Sequence, residues 1–384
     1  MSRWLYMLLV MMLCTMSMLL AGCQLKDVDK RSFVLAFGID SAAGNEESEN
    51  SGQGGDKENL IEVTLKLAIP EGDPTKRNQE AVIISQISDS IPEAIRLLKS
   101  KVDKELDFSH CKTLLFGEDY AKNNITQMTD WMVRRRDIQL VAYNGIARPN
   151  AKEVLNLRPK SERVPANALI LSLGKEGTES PFIVSIYSYN FRRHLSERGL
   201  DPILPLVEVN GKDKDTLLIN KSVLLDKQKV RAELTPDESR LYNLLTTRNL
   251  RTSFNVEMEG SIYSYNMETT HSKFKLIISK EGKTVVQYDV GGRAILEDST
   301  QGLETKDQIL EAVSKAASKQ WEKDIKQFLI KIHGTGLDPL GWGLRYTAMN
   351  WNNATEIEDW KRIYPQLEFN VKAKIKIDYS GMIR

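Results

Sequence analysis

Hydrophobic and polar positions follow two periods along this chain, and the changes of period mark out its elements. From Trp4 to Leu20 no charge interrupts an apolar run, and Arg3 precedes it. Phe33–Ile39 is again nearly all apolar, as in a buried strand. Residues 60–69 alternate instead. Ile61, Val63, Leu65, Leu67 and Ile69 share one side and Glu62, Thr64 and Lys66 the other, which predicts a strand with one buried face. Between the two strands, residues 43–59 hold Gly, Ser, Asn, Glu and Asp with almost nothing to bury. The pair therefore reads as a hairpin with a long acidic tip.

The period then lengthens. Ile91, Ile95, Leu98, Val102 and Leu106 recur at helical intervals behind Ser90-Ile91-Pro92-Glu93, which has capping-box spacing, so residues 90–106 are expected to be an amphipathic helix. A strand over Cys111–Phe116, a helix over 125–134, a strand over 138–147 and a short helix opening at Asn150 follow. Residues 165–174 and 183–197 look helical, and Gly199 ends the latter. Asp201–Pro205 reads as a Pro-rich exit. The second half opens with a hairpin (216–225, 229–234) and a helix behind Thr235-Pro236-Asp237-Glu238. Strands follow over 252–259, 273–279 and 284–296, with Glu281-Gly282 as the turn between the last two. A long helix is predicted over 306–333, with Val313, Trp321, Ile325, Phe328 and Ile332 in its stripe. The chain closes on an alternating strand, 367–377, whose other side carries Lys372, Lys374 and Lys376. That lysine row is either a solvated face or a guard against edge pairing.

This order predicts a mixed α/β (α+β) protein in several lobes, with mixed sheets and amphipathic helices, ending in a long helix and a C-terminal strand. The expected division is a leader over 1–22, an N-terminal mixed α/β domain over 23–210 and a C-terminal α+β region over 211–384. The last region divides further into about 211–300 and 301–384.

The start of the chain carries the sharpest chemical signal. A basic residue, an apolar stretch and a small-residue cleavage site make a secretory leader. Leu20-Ala21-Gly22-Cys23 is a lipobox, in which small residues admit a signal peptidase and the Cys23 thiol takes a diacylglyceryl group. Cys23 would then be the first mature residue, carrying covalent diacylglycerol and an N-acyl chain of the palmitate kind. Two chains suffice for stable anchoring, at roughly 0.8 kcal/mol per buried methylene. The competing reading is an uncleaved membrane-spanning helix. Downstream, nothing is long and apolar enough to span a bilayer.

Charge and cysteine narrow the possibilities. There are 53 Lys and Arg against 52 Asp and Glu, and Arg3 leaves with the leader, so the mature chain is balanced. Nucleic-acid binding draws on a basic surplus that is missing here. With Cys14 in the leader and Cys23 acylated, only Cys111 of the three cysteines remains, in an apolar run that suits a buried small hydrophobe. The four histidines, His110, His194, His271 and His333, lie far apart in sequence, with no Cys or carboxylate cluster at metal spacing. No nucleophile elbow or phosphate loop is present. No catalytic, cofactor-binding or metal-ligating residue is therefore assigned, and Cys23 is the one modification site. The densest basic run, Arg134-Arg135-Arg136, suits a helix C-terminus or a contact with acidic headgroups or a membrane partner's loops. Leu340-Gly341-Trp342-Gly343 reads as a tight turn with an indole plug.

Several segments, in this order, resemble one family. They are Gly22-Cys23, Phe33–Asp40, Asp107–Phe116, Arg136-Asp137-Ile138, Ala151–Leu155, Asp201–Pro205, Asn220–Val223, Asp338–Gly343 and the final strand running on to Gly381. Together they resemble the Ger(x)C lipoproteins, C-subunits of the nutrient germinant receptors of spore-forming Firmicutes. The chain departs from them after Cys23, where Gln24–Asp29 lacks the family's Trp, and at Pro339, which stiffens the late turn. The resemblance implies a non-enzymatic, multi-lobed subunit on the outer face of the spore inner membrane. Its partners would be integral-membrane A- and B-type subunits, without nucleic acid. Cys23 is the only residue whose role transfers. Two other readings compete: a solute-binding lipoprotein feeding a transporter, with a cleft between lobes, and a surface enzyme built on His110 or His194.

Overall fold

The computed structural model describes residues 3–20, 27–42, 60–68, 81–158, 165–174, 180–211, 213, 215–278, 283–300 and 307–379. The leader run forms helix α1 (Arg3–Leu20), whose 18 residues rise about 27 Å. Among the described residues no helix is long and apolar enough to cross a membrane. The acidic tip expected over 43–59 lies outside the described residues.

The larger sheet takes β1 (Arg31–Ser41), β2 (Ile61–Ala68), β3 (Ala81–Ser88), β4 (Glu105–Asp107), β5 (Thr113–Gly117), β6 (Tyr143–Arg148), β7 (Ile203–Val209), β8 (Leu217–Leu225) and β9 (Val230–Leu234). Its order is β3-β2-β1-β5-β6-β7-β8-β9, with β4 beside β1. The centre, β1-β5-β6-β7, is parallel and the flanks are antiparallel. Parallel strands are covered on both faces, and the burial alternates to match. Phe37, Leu114, Phe116 and Ile146 point into one core, and Ala36, Leu115, Ala147 and Val207 into the other. Helices α2 (Ile91–Lys99), α3 (Glu118–Asn123), α4 (Thr126–Arg134), α5 (Ala151–Asn156), α6 (Pro165–Leu173) and α7 (Ser188–Ser196) connect these strands.

Several local expectations shift. The 90–106 helix stops at Lys99, and Leu106 is buried in β4 instead. Ser90 makes no side-chain cap, although Thr235 and Glu238 form a complete capping box on α8 (Pro236–Thr246). The strand expected over 138–147 begins only at Tyr143, and the helix over 183–197 only at Ser188. The Pro-rich exit is strand β7. Its Pro205 sits just before the β6 ladder, which pairs 146–148 with 206–208, so the missing N–H is not needed there. The β8–β9 hairpin extends the same sheet past residue 210.

The second lobe is a four-stranded sheet of β10 (Thr252–Met258), β11 (Ser261–Ile278), β12 (Thr284–Ser299) and β13 (Glu368–Tyr379). The Glu281-Gly282 turn lies outside the described residues. Helix α9 (Asp307–Gly334) buries Val313, Ala317, Trp321, Ile325 and Phe328. It also settles the edge of β13. Ser314 and Ser318 hydroxyls and the Glu322 carboxylate accept the N–H groups of Ile377, Ile375 and Ala373 at 3.0, 3.0 and 3.1 Å. Every fourth helical residue advances about 6 Å and every second strand residue about 6.6 Å, so the two rows keep step. A helix guards this edge, and the lysine row is a solvated face. Helices α10 (Trp342–Met349) and α11 (Glu356–Ile363), unforeseen in the sequence, close the lobe. One apolar core runs from the larger sheet through α8 to Trp321 and Trp342.

Candidate functional site

In open α/β sheets ligands sit outside the carboxyl ends of the strands. Here the chain's own charges fill that end. Asp40, at the end of β1, accepts the N–H groups of Ala151 (2.6 Å) and Lys152 (2.9 Å) in the first turn of α5. Lys66, on β2, donates to the carbonyl of Leu155 at the other end of α5, 2.7 Å away. Each charge lies at the helix end it suits. Burial, with the neighbouring Glu62 charge, pushes Asp40 up to about 6 against those two N–H bonds, and burial pushes Lys66 down to about 8. Glu62 pairs with Lys152. Further along the sheet, Arg148 forks onto Glu118 (2.7 and 2.8 Å) and reaches Glu208 (2.9 Å) and Glu233 (2.7 Å). Lys221 closes the row on Glu208 and Glu233. The Arg148 guanidinium holds Glu118 down to about 2.

A second carboxylate clasp lies at the opposite end of the sheet and joins the lobes. Asp201 stands two residues before β7 and Asp338 just past α9; both precede a proline, which favours extended backbone. Asp201 N–H donates to the Asp338 carbonyl, and Asp338 N–H to the Asp201 carboxylate, each at 2.8 Å. The buried Asp338 carboxylate accepts the N–H groups of Gly341 (2.7 Å) and Gly343 (2.6 Å). Gly341 takes φ +76°, which glycine adopts without strain. A Cβ on Gly343 would lie 2.8 Å from the Gly199 Cα, so the two backbones pack directly, and Leu344 N–H donates to the Gly199 carbonyl at 2.8 Å. Trp342 is the expected indole plug, buried with its N–H on the Tyr288 hydroxyl at 2.8 Å. Lys227 gathers the carbonyls of His194, Glu197 and Leu200 beside Asp201. Burial, added to by the Asp201 charge, pushes Asp338 up to about 7 against the N–H groups of Gly343, Trp342 and Gly341.

Cys23 and the rest of the lipobox after Leu20 lie outside the described residues. Cys111 is buried and free, its thiol pushed up to about 12 by burial, so it is an inert small hydrophobe. The histidines stay apart. His110 meets Ser109 and packs edge-on to Phe33, and His333 bonds the Tyr364 carbonyl. His194 faces the Asp201 carbonyl, pushed down to about 4 by burial, and His271 is exposed on β11. Among the described residues no cluster of His, Cys, Asp or Glu could hold a metal ion. Arg135 pairs with Asp137 and lies over Phe108 and Trp131, whereas Arg134 and Arg136 are exposed. Between the lobes a cleft of ≈ 650 Å³ is lined by Asn190, Arg193, His194, Tyr242 and Arg345, among others.

Two family matches span nearly the whole chain. Residues 24–209 match the family described as Spore germination protein N-terminal domain, and residues 220–381 match Spore germination B3/GerAC like, C-terminal. The chain belongs to the GerAC-like spore germination proteins. This germination protein is 24% identical over 307 residues to YfkR of Bacillus subtilis (strain 168), covering 77% of each chain. It is 22% identical over 315 residues to the spore germination protein KC of the same organism, covering 76% of this chain and 77% of that one. The crystal structure of the GerBC protein shares the fold, with a TM-score of 0.56 at 17% identity over 83% of this chain and 93% of that one. The two segments of each clasp are among those by which the sequence resembles this family: Phe33–Asp40 meets Ala151–Leu155, and Asp201–Pro205 meets Asp338–Gly343. Sequence reasoning marked the segments and missed their pairing. The signal available was the repeated Asp-Pro and the glycines three and five residues past Asp338, whose N–H groups a preceding carboxylate can collect.

Proposed function

We propose that this germination protein is a component of a spore germinant receptor, a lipid-anchored subunit that works by docking and has no chemistry of its own. It would sit on the outer face of the spore inner membrane, held by lipid on Cys23, against integral-membrane A- and B-type subunits. The observation that carries the reading is the family match across both lobes, which begins at residue 24, one residue past Cys23. The self-neutralised carboxyl end of the sheet supports it, because Arg148 with its three glutamates, and His194 on the Asp201 carbonyl, are used here to hold the fold. The inter-lobe cleft favours a second reading, a solute-binding lipoprotein, since its volume suits a small molecule.

Cys23→Ala in the native host tests the anchored-subunit reading. Membrane retention of the protein and germination in nutrients should both fall, while germination triggered by dipicolinate persists. Lost retention with unchanged nutrient germination would leave the anchor standing and remove the receptor role.

A further inference from the structure

The parallel strands β1, β5, β6 and β7 start at one end of the larger sheet, and the chain enters there at Asp27–Arg31. Asp27 is four residues past Cys23, so the two are at most about 14 Å apart at full extension. Whatever holds Cys23 lies close to this end of the sheet.

The same end carries an unusual surface. Val133 lies in the last turn of α4, and Leu140 and Val141 precede β6. With Tyr189 at the start of α7 they are 47–49% exposed. Tyr189 adjoins Leu140 and Val141, because Tyr189 N–H donates to the Leu140 carbonyl at 3.0 Å. Arg134 and Arg136 follow Val133 in the chain, exposed and without an ion-pair partner among the described residues, and Arg193, which also lines the inter-lobe cleft, and Arg198 are exposed on and just past α7. Single aliphatic and tyrosyl side chains set among arginines match the headgroup boundary of a bilayer, where apolar tips enter and guanidinium groups meet lipid phosphates. A protein partner would more readily fit a groove or a continuous apolar patch.

We infer that the amino end of the larger sheet is a membrane-contact surface that rests on an anionic lipid bilayer. The inference builds on the proposed Cys23 anchor, which brings this end to the membrane. Arg134 and Arg136, exposed and without an ion-pair partner among the described residues, supply the attraction, and Leu140, Val141 and Tyr189 reach the lipid boundary.

The test places p-benzoylphenylalanine at Leu140, or at the control Leu218, in the full-length chain in the native host. Leu218 is 41% exposed and pairs with Glu208 at the carboxyl end of β7, so it faces away from the proposed surface. After irradiation of membranes, mass spectrometry should find lipid adducts at position 140 and none above background at 218. Arg134→Glu with Arg136→Glu should lower the yield at 140 about fivefold or more. Protein adducts at 140, no adduct there, or equal lipid adducts at both positions would overturn the inference. The same digest reports acylation of Cys23. Lipid at 140 without acylation removes the anchor and keeps the surface, and acylation without lipid at 140 does the reverse.

Discussion

At the carboxyl end of the parallel strands, Glu118, Arg148, Glu208, Lys221 and Glu233 form a row of alternating charge, and Asp40 is spent on the first turn of α5. At the amino end, Arg134 and Arg136 stand exposed beside Leu140 and Val141. The first end is where an α/β sheet usually receives a ligand, and here it is internally satisfied. The second is the end where the chain arrives from Cys23. The contrast teaches that polar chemistry at the carboxyl end holds the layers together, while at the end nearest the proposed anchor Arg134 and Arg136 are exposed without an ion-pair partner among the described residues.

Breaking each end separately sharpens the contrast. The largest effect is expected at the lobe clasp. Asp338→Asn offers one oxygen to two N–H donors and should cost about 1–3 kcal/mol at pH 5, measured by urea unfolding. The cost must then depend on pH. Asp338 is raised to about 7, so the folded state keeps a proton that the unfolded chain releases near 4. The stability tied to that proton is present below about pH 4 and lost as pH rises through about 7. Asn does not titrate, so the variant's deficit should shrink or reverse by about 2–4 kcal/mol between pH 4 and 8. Asp40 and His194 titrate in both proteins and drop out of the difference. A deficit constant across that range would show that Asp338 ionises in the ordinary carboxylate range.

At the carboxyl end, Arg148→Ala leaves Glu118, Glu208 and Glu233 with Lys122 and Lys221 as their ion-pair partners among the described residues. The row is half-buried, so the expected loss is about 2–4 kcal/mol, read as a lower urea midpoint. Membrane retention should not change. A stability change below about 0.5 kcal/mol would place this row with ordinary surface ion pairs.

Much of the scaffold was legible in its apolar pattern. β1 is a nearly continuous apolar run, β2 and β13 alternate in sequence and α9 carries a helical stripe, and each sits within a residue or two of its predicted bounds. The single buried face expected of β2 is a misreading, because Glu62, Thr64 and Lys66 are buried under α5 and its neighbours as well. The misreadings have physical causes. Leu140 and Val141 look like the start of a strand because they are apolar, yet they are surface residues ahead of β6. β7 was hidden by Pro205, whose missing donor falls outside the β6 ladder. The guard on β13 comes from Ser314, Ser318 and Glu322, polar residues four apart that look like an ordinary solvated helix face. The turn that Asp338 caps had a local signal in its glycines, but the pairing of the two segments did not: Asp201 and Asp338 are 137 residues apart, and local patterning carries no information about which distant turn a carboxylate will meet.

The most direct measurement of the central claim is affinity purification of the chain from gently solubilised spore membranes, with its companions identified by mass spectrometry. The account predicts integral-membrane receptor subunits of the A and B types, recovered in near-stoichiometric amounts and retained when the chain carries Arg148→Ala. Recovery of the chain alone, or with a transporter's subunits in place of a receptor's, would contradict it.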